Sequence, residues 1–179
     1  SYVHEESKLS RTFSTNEGKR KVSKDIKQIF SDSDEIRIIT GYTSMKEILN
    51  AVRDYPQSKI QIIFGNEPSP STIKSDNISP RSLSKEMAEY WLRKGISILD
   101  ADIVFDAIEA LEQKRIEVKI GSESNRMLHA KVYIGKDGAI VGSSNFSHGG
   151  LRSNREYNAR FHISETQRFR QINNFWKLT

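Results

Sequence analysis

The stretch EIRIITGYTSMKEILNAVRDYPQSKIQIIFG, Glu35 to Gly65, holds two isoleucine-rich runs with a helical repeat between them. Ile36, Ile38 and Ile39 belong to a strand that ends at Gly41, and Ile60, Ile62 and Ile63 to a second that ends at Gly65. Between them Ser44 holds an N-cap position. Met45, Ile48, Leu49 and Val52 then recur three and four residues apart, as on one face of a helix. Strand, helix and strand with short joints, the second joint turning at Pro56, make a parallel crossover unit. The class that follows is α/β.

Upstream, Val22, Ile26, Ile29 and Phe30 predict a helix behind the basic run Lys19-Arg20-Lys21. Residues 1–18 are polar and aperiodic and read as an extended or disordered arm, leaving 19–179 as a single domain. Downstream, three of the four prolines fall between Pro68 and Pro80, which marks a long loop. Leu83, Met87, Tyr90 and Trp91 predict a helix stopped at Gly95. A further helix through Ile103, Val104, Ala107, Ile108 and Leu111 leads into the strand Ile116 to Ile120. Leu128 to Ile134 and Ala139 to Ser143 form two strands joined by Gly135-Lys136-Asp137-Gly138, a hairpin signal. An alternating strand runs from Glu156 to Ile163, and Phe169, Ile172, Phe175 and Trp176 mark a closing helix. The expectation is a mixed β-sheet flanked by helices on both faces.

With 36% hydrophobic and 28% charged residues over 179 positions, the chain can bury a core without staples. The absence of cysteine excludes disulfides, thiolate nucleophiles and cysteine zinc sites. The four histidines His4, His129, His148 and His162 show no metal-ligand spacing, so neither a zinc site nor any other cofactor is expected. A net charge of +5 and pI near 9.4 favour anionic partners, nucleic acid being the commonest. No apolar run reaches the length of a membrane span and no signal peptide is visible, so a cytoplasmic location is expected. The start at Ser1-Tyr2-Val3, without methionine, suggests a piece of something longer that has further domains.

The hairpin concentrates unusual residues. His129 and Lys131, two apart on a strand, project from one face, with Val132 and Ile134 on the other. Ser143 and Asn145 are two apart on and just after the partner strand. Glu156, Asn158, Arg160 and His162 share one face of the third strand. Three neighbouring strands can thus aim imidazole, ammonium, hydroxyl, amide and carboxylate at one spot. The plainer alternative is the polar outer face of an antiparallel sheet, which fits any one of these residues as well.

The succession His129-Ala130-Lys131, then Gly142-Ser143-Ser144-Asn145-Phe146, then Glu156 resembles the phospholipase D superfamily signature. Within that superfamily it is more similar to the bacterial nucleases, restriction endonucleases and helicase-attached domains than to the lipases. The resemblance implies that His129 attacks phosphorus and forms a phosphohistidine. It further implies that Lys131 and Asn145 hold the non-bridging oxygens, that Ser143 hydrogen-bonds the same site, and that Glu156 orients a histidine. The family aspartate would fall at Lys136, where this chain offers Asp137 one residue later. Only one His-x-Lys is present. In this the chain resembles dimeric members that pool two motifs, which implies a homodimer with the active site at the interface.

The chemistry suits any phosphodiester, so the substrate must be read from the surroundings. Arg152 and Arg155, between Asn145 and Glu156, are candidates for flanking phosphates, with ordinary surface charge as the alternative. His148-Gly149-Gly150 can open a short helix whose amides favour an anion. Tyr42 and Thr43, beside Gly41, are candidates to line the same cleft, against a role in packing or turn chemistry. With no amphipathic membrane segment, DNA leads as substrate. A nucleic-acid-binding module without turnover is the second reading, and a phospholipase or phosphatidyltransferase the third.

Overall fold

The computed structural model describes residues 13–17, 21–65, 98–120 and 128–178. The proline-rich loop and the helix of Leu83 to Trp91 with its stop at Gly95 lie outside the described residues. The elements in chain order are β1 (Phe13–Thr15), α1 (Val22–Phe30), β2 (Glu35–Thr40), α2 (Met45–Asp54), β3 (Lys59–Phe64) and α3 (Ile98–Glu112). They continue with β4 (Ile116–Ile120), β5 (Val132–Ile134), β6 (Gly138–Gly142), a π-helical turn (Gly149–Ser153), β7 (Tyr157–His162) and α4 (Thr166–Leu178).

The seven strands form one sheet in the order β1-β7-β6-β5-β2-β3-β4. β2, β3 and β4 are parallel, with Ile38 opposite Ile62 and Ile62 opposite Val118. β5, β6, β7 and β1 continue the sheet antiparallel from β2. The parallel half is the crossover unit expected from Glu35 to Gly65. Its helix α2 starts at Ser44, whose side chain accepts the Glu47 N–H.

Alternation along the strands sorts the core into two layers. Ile36, Ile38, Ile60, Ile62, Tyr133 and Ile140 pack with α1, α2 and Ala110 of α3. Ile39, Val132, Ile134 and Ala139 pack on the opposite face with Ile172 and Trp176 of α4. The sheet is therefore mixed and carries helices on both faces. Each isoleucine fully withdrawn from water contributes about 1.5–3 kcal/mol, and Ile36, Ile38, Ile39 and Ile60 are all at 0% exposure.

Three features differ from the sequence reading. The polar leader is, over Phe13–Thr15, an edge strand paired with β7. Asn16 ties it down: its amide donates to Gly150 O and Asn154 O, and its oxygen accepts the Val22 N–H. The first hairpin strand is shorter than expected, because the ladder covers only Val132–Ile134 and the chain from Leu128 to Lys131 leaves it. The middle of β7's polar face, Asn158 and Arg160, turns inward rather than outward, while His162 stays exposed. Asn158, 1% exposed, donates to Ser14 O and Ser144 Oγ, and Arg160 reaches Asp25 and Gln28 on α1.

Candidate active site

The site forms where β2 ends. Asn145 draws the segment after β6 onto that end: its side-chain oxygen accepts the Gly41 N–H at 2.9 Å and the Tyr42 N–H at 3.3 Å. The Thr40 hydroxyl lies 3.1 Å from the same oxygen and accepts the Phe146 N–H at 2.9 Å. Thr43 bridges to Phe146 and donates its hydroxyl to the Phe146 carbonyl at 2.9 Å. Tyr42 and Thr43 thus serve turn chemistry at this end of the sheet. The carboxyl end of parallel strands is where open α/β sheets hold ligands.

His129 arrives from the other side. Val132 of β5 stands opposite Ile39 of β2, so the residues before Val132 run past the carboxyl end of β2. Gly65, at the end of β3, lets them pass, since a Cβ there would run into the Leu128 backbone. His129 is exposed while Lys131 is 4% exposed. The Lys131 side chain folds back on its neighbour, with Nζ 3.0 Å from His129 Nδ1 and 2.7 Å from His129 O. A buried ammonium needs such acceptors.

Ser143 and Glu156 form a second pair. The Ser143 hydroxyl donates to the Glu156 carboxylate and accepts the Tyr157 N–H at 3.0 Å. Gly142 N donates to Lys131 O at 3.1 Å, which sets the Ser143 strand directly beside Lys131. Beneath the motif, fully buried Tyr133 donates its hydroxyl to Ser144 O at 2.6 Å. That burial, reinforced by Glu156 and Glu47, pushes the Tyr133 phenol well above its ordinary range.

The remaining candidates lie elsewhere. Asp137 is exposed in the turn between β5 and β6, at the opposite end of those strands from His129, and its carbonyl accepts the Ile163 N–H. Arg152 is committed to Glu47, with contacts of 2.7 and 3.4 Å to a carboxylate whose side chain is 4% exposed. Arg155 is 93% exposed and meets Glu17 at 3.1 Å. Of the amides after His148, Gly150 N donates to Ser147 Oγ and Leu151 N to Ser147 O, so these two are used within the chain. Asn158, Arg160 and His162 do not join Glu156; His162 Nδ1 pairs with Ser164. Sequence reasoning missed Thr40 and Gly65; the strand-ending position of each was the available signal. Among the described residues no cluster of histidine and carboxylate groups could hold a metal ion, and no helix is long and apolar enough to cross a membrane.

Comparison with known proteins gives a family and a fold. Residues 26–176 match the family model described as cardiolipin synthase, PLD-like domain. Nuc from Salmonella typhimurium, a phospholipase D family member, aligns with TM-score 0.56 and 15% identity over 92% of this chain and 90% of that one. NucT from Helicobacter pylori aligns with TM-score 0.52 and 14% identity over 93% and 92% of the two chains. Phosphatidylserine synthase from Haemophilus influenzae aligns with TM-score 0.55 and 10% identity, covering 90% of this chain and 37% of that one. At these identities the likeness speaks to the fold. No curated protein matches the chain in sequence.

Proposed function

We propose, from the premise that this chain belongs to the phospholipase D-like domain family, that it is a metal-independent phosphodiesterase acting on nucleic acid, DNA first. The observation that carries the reading is the contact of Lys131 Nζ with His129 Nδ1, next to the strand end held by Asn145. An imidazole and a cation side by side suit attack on an anionic phosphorus centre.

In the proposed reaction His129 attacks phosphorus, the bond to the leaving oxygen breaks, and a phosphohistidine forms. Lys131 and the amide nitrogen of Asn145 hold the non-bridging oxygens, where negative charge builds. The Asn145 oxygen accepts backbone N–H groups, and the donor that an amide can offer a phosphate oxygen is its nitrogen. The leaving oxygen takes a proton from the histidine of a second copy, in a homodimer that shares the site. Glu156, held by Ser143, orients a histidine through its second ring nitrogen. Water then hydrolyses the phosphohistidine.

A second reading, a nucleic-acid-binding module without turnover, draws on Asp137, which sits in the hairpin turn away from His129. One experiment separates the two: incubate the protein with plasmid and single-stranded DNA in excess EDTA, beside His129→Ala. Cleavage that survives EDTA and vanishes in the variant is the expected result. Salt-sensitive binding with no cleavage favours the module, and hydrolysis of phospholipid vesicles alone favours lipid chemistry. Cleavage only with added metal and unaffected by the substitution overturns the mechanism.

A further inference from the structure

The sheet face beside the Ser143–Glu156 pair carries an aromatic ring that the core does not use. Tyr157 directly follows Glu156, and its N–H donates to Ser143 Oγ at 3.0 Å. Its side chain is nonetheless 64% exposed. Phe13 supports the ring from the edge strand, with centroids 5.1 Å apart and planes inclined by 40°. Most of the ring stands in water.

The same face continues as an apolar track. Register places Ala159 beside Val141 and Phe161 beside Ala139, so alternation puts Tyr157, Ala159 and Phe161 together on the α4 side. There the sheet and α4 enclose a groove of about 600 Å³, lined by Ala130, Val141, Phe161 and Ile172 with Arg168 and Gln171 at its rim. Ala130 and Lys131 both line it, so the groove reaches the His129-Ala130-Lys131 motif. Cations stand at both ends of the track, each in a surface ion pair that a phosphate can replace: Arg155, two residues before Tyr157, 93% exposed and 3.1 Å from Glu17, and Arg168, 69% exposed and 4.0 Å from Glu165.

We propose that Tyr157 is the stacking platform of a single-strand subsite. An unpaired base next to the scissile phosphate lies on its ring, and the strand follows the apolar groove with Arg168 against a phosphate. This rests on the nucleic-acid reading above and narrows it to single strands. A protruding ring takes the face of any unpaired base, whereas bases within a duplex are already stacked on one another. Cations flanking an apolar floor match a chain of phosphates and bases, which alternates in the same way.

The test is a binding comparison in a His129→Ala background, so that substrate is not consumed. A labelled oligothymidylate and a labelled abasic oligomer of equal length are titrated against the parent chain, Tyr157→Phe and Tyr157→Ile by fluorescence anisotropy. Isoleucine keeps strand propensity and an apolar contact for Phe13 while removing the ring. The expected result is a roughly ten-fold weaker hold on oligothymidylate for Tyr157→Ile, a much smaller change on the abasic oligomer, and near-parent affinity for Tyr157→Phe. Equal losses on both oligomers, no loss on either, or no oligothymidylate binding by the parent overturns the proposal. So does a switch from dimer to monomer in sedimentation of Tyr157→Ile, which would assign the ring to contact between copies. Cleavage by the chain with His129 intact is measured separately and reports on the phosphodiesterase reading alone.

Discussion

Lys131 Nζ lies 3.0 Å from His129 Nδ1. An ammonium has only hydrogens to give, so in this contact it donates to the Nδ1 lone pair. In the proposed reaction the ammonium passes from His129 to a phosphate oxygen as substrate arrives. Substrate itself would supply that trigger, since its charge competes for the ammonium. Lys131→Met is expected to lower kcat/KM by about 10²–10³ with the chain still folded by circular dichroism. Lys131→Arg is not expected to restore activity, because a site 4% exposed has little room for a planar fork. Activity within a few-fold of the parent in Lys131→Met would remove the lysine from the phosphate clamp.

Arg152 is a structural partner of Glu47 rather than a free phosphate ligand. Arg152→Ala strands a carboxylate whose side chain is 4% exposed, at an expected cost of about 2–4 kcal/mol in urea unfolding. The double variant Glu47→Gln with Arg152→Met should recover most of it. A phosphate role for Arg152 would show instead as a shallower salt dependence of DNA binding with stability intact.

Gly142 has its reason in the neighbouring strand. A Cβ there would meet Tyr157 O and both Oδ1 and Cα of Asn158. Asn158 cannot retreat, because its amide donates to Ser14 O at 3.0 Å and to Ser144 Oγ at 2.9 Å. Gly142→Ala is expected to destabilise the fold by about 2–3 kcal/mol, measured by thermal or urea unfolding. A neutral effect would mean that β6 and β7 separate more easily than this packing implies.

The crossover unit from Glu35 to Gly65 was legible because β-branched runs, a capping serine and a helical repeat all point the same way. The turn joining β5 and β6 was legible for the same reason, local chemistry with local consequences, although the first strand covers only Val132–Ile134 rather than starting at Leu128. The polar face of β7 was not. Asn158 and Arg160 find their partners in Ser14 and Asp25, which are themselves hydrogen-bonded to each other in the interior. In a sequence such residues look the same as residues facing water. Edge strand β1 was hidden likewise, since Asn16 anchors it to Gly150, 134 residues away. The commitment of Arg152 to Glu47 spans 105 residues and left no local sign.

Alkaline stability should depend on Tyr55. Burial, with Asp54 as a smaller contributor, raises its phenol to about 12. The folded state thus favours the neutral phenol, so this contribution is complete below the unfolded value of about 10 and is lost as pH rises through about 12. Buried Tyr133 acts with the same sign. Urea unfolding across that window should show a loss of stability, and Tyr55→Phe should make it shallower. An identical slope in the variant would mean that Tyr55 ionises as easily folded as unfolded.

Asn145 has two jobs that one substitution can separate. Its oxygen accepts the N–H groups of Gly41 and Tyr42 and so holds the end of β2, while its nitrogen is the group proposed to meet phosphate. Asn145→Asp keeps an acceptor oxygen for the backbone and replaces the donor with negative charge. The chain should still fold, with the oxygen's backbone contacts kept, while kcat/KM falls by about 10²–10³. Asn145→Ala removes both functions and should lose stability as well, by about 1–3 kcal/mol, because two backbone donors are left without their acceptor. Melting curves and rates on single-stranded DNA for the two variants give the comparison. Equal stability losses with equal rates would show that Asn145 serves only the turn, and the phosphate clamp would then need a different donor.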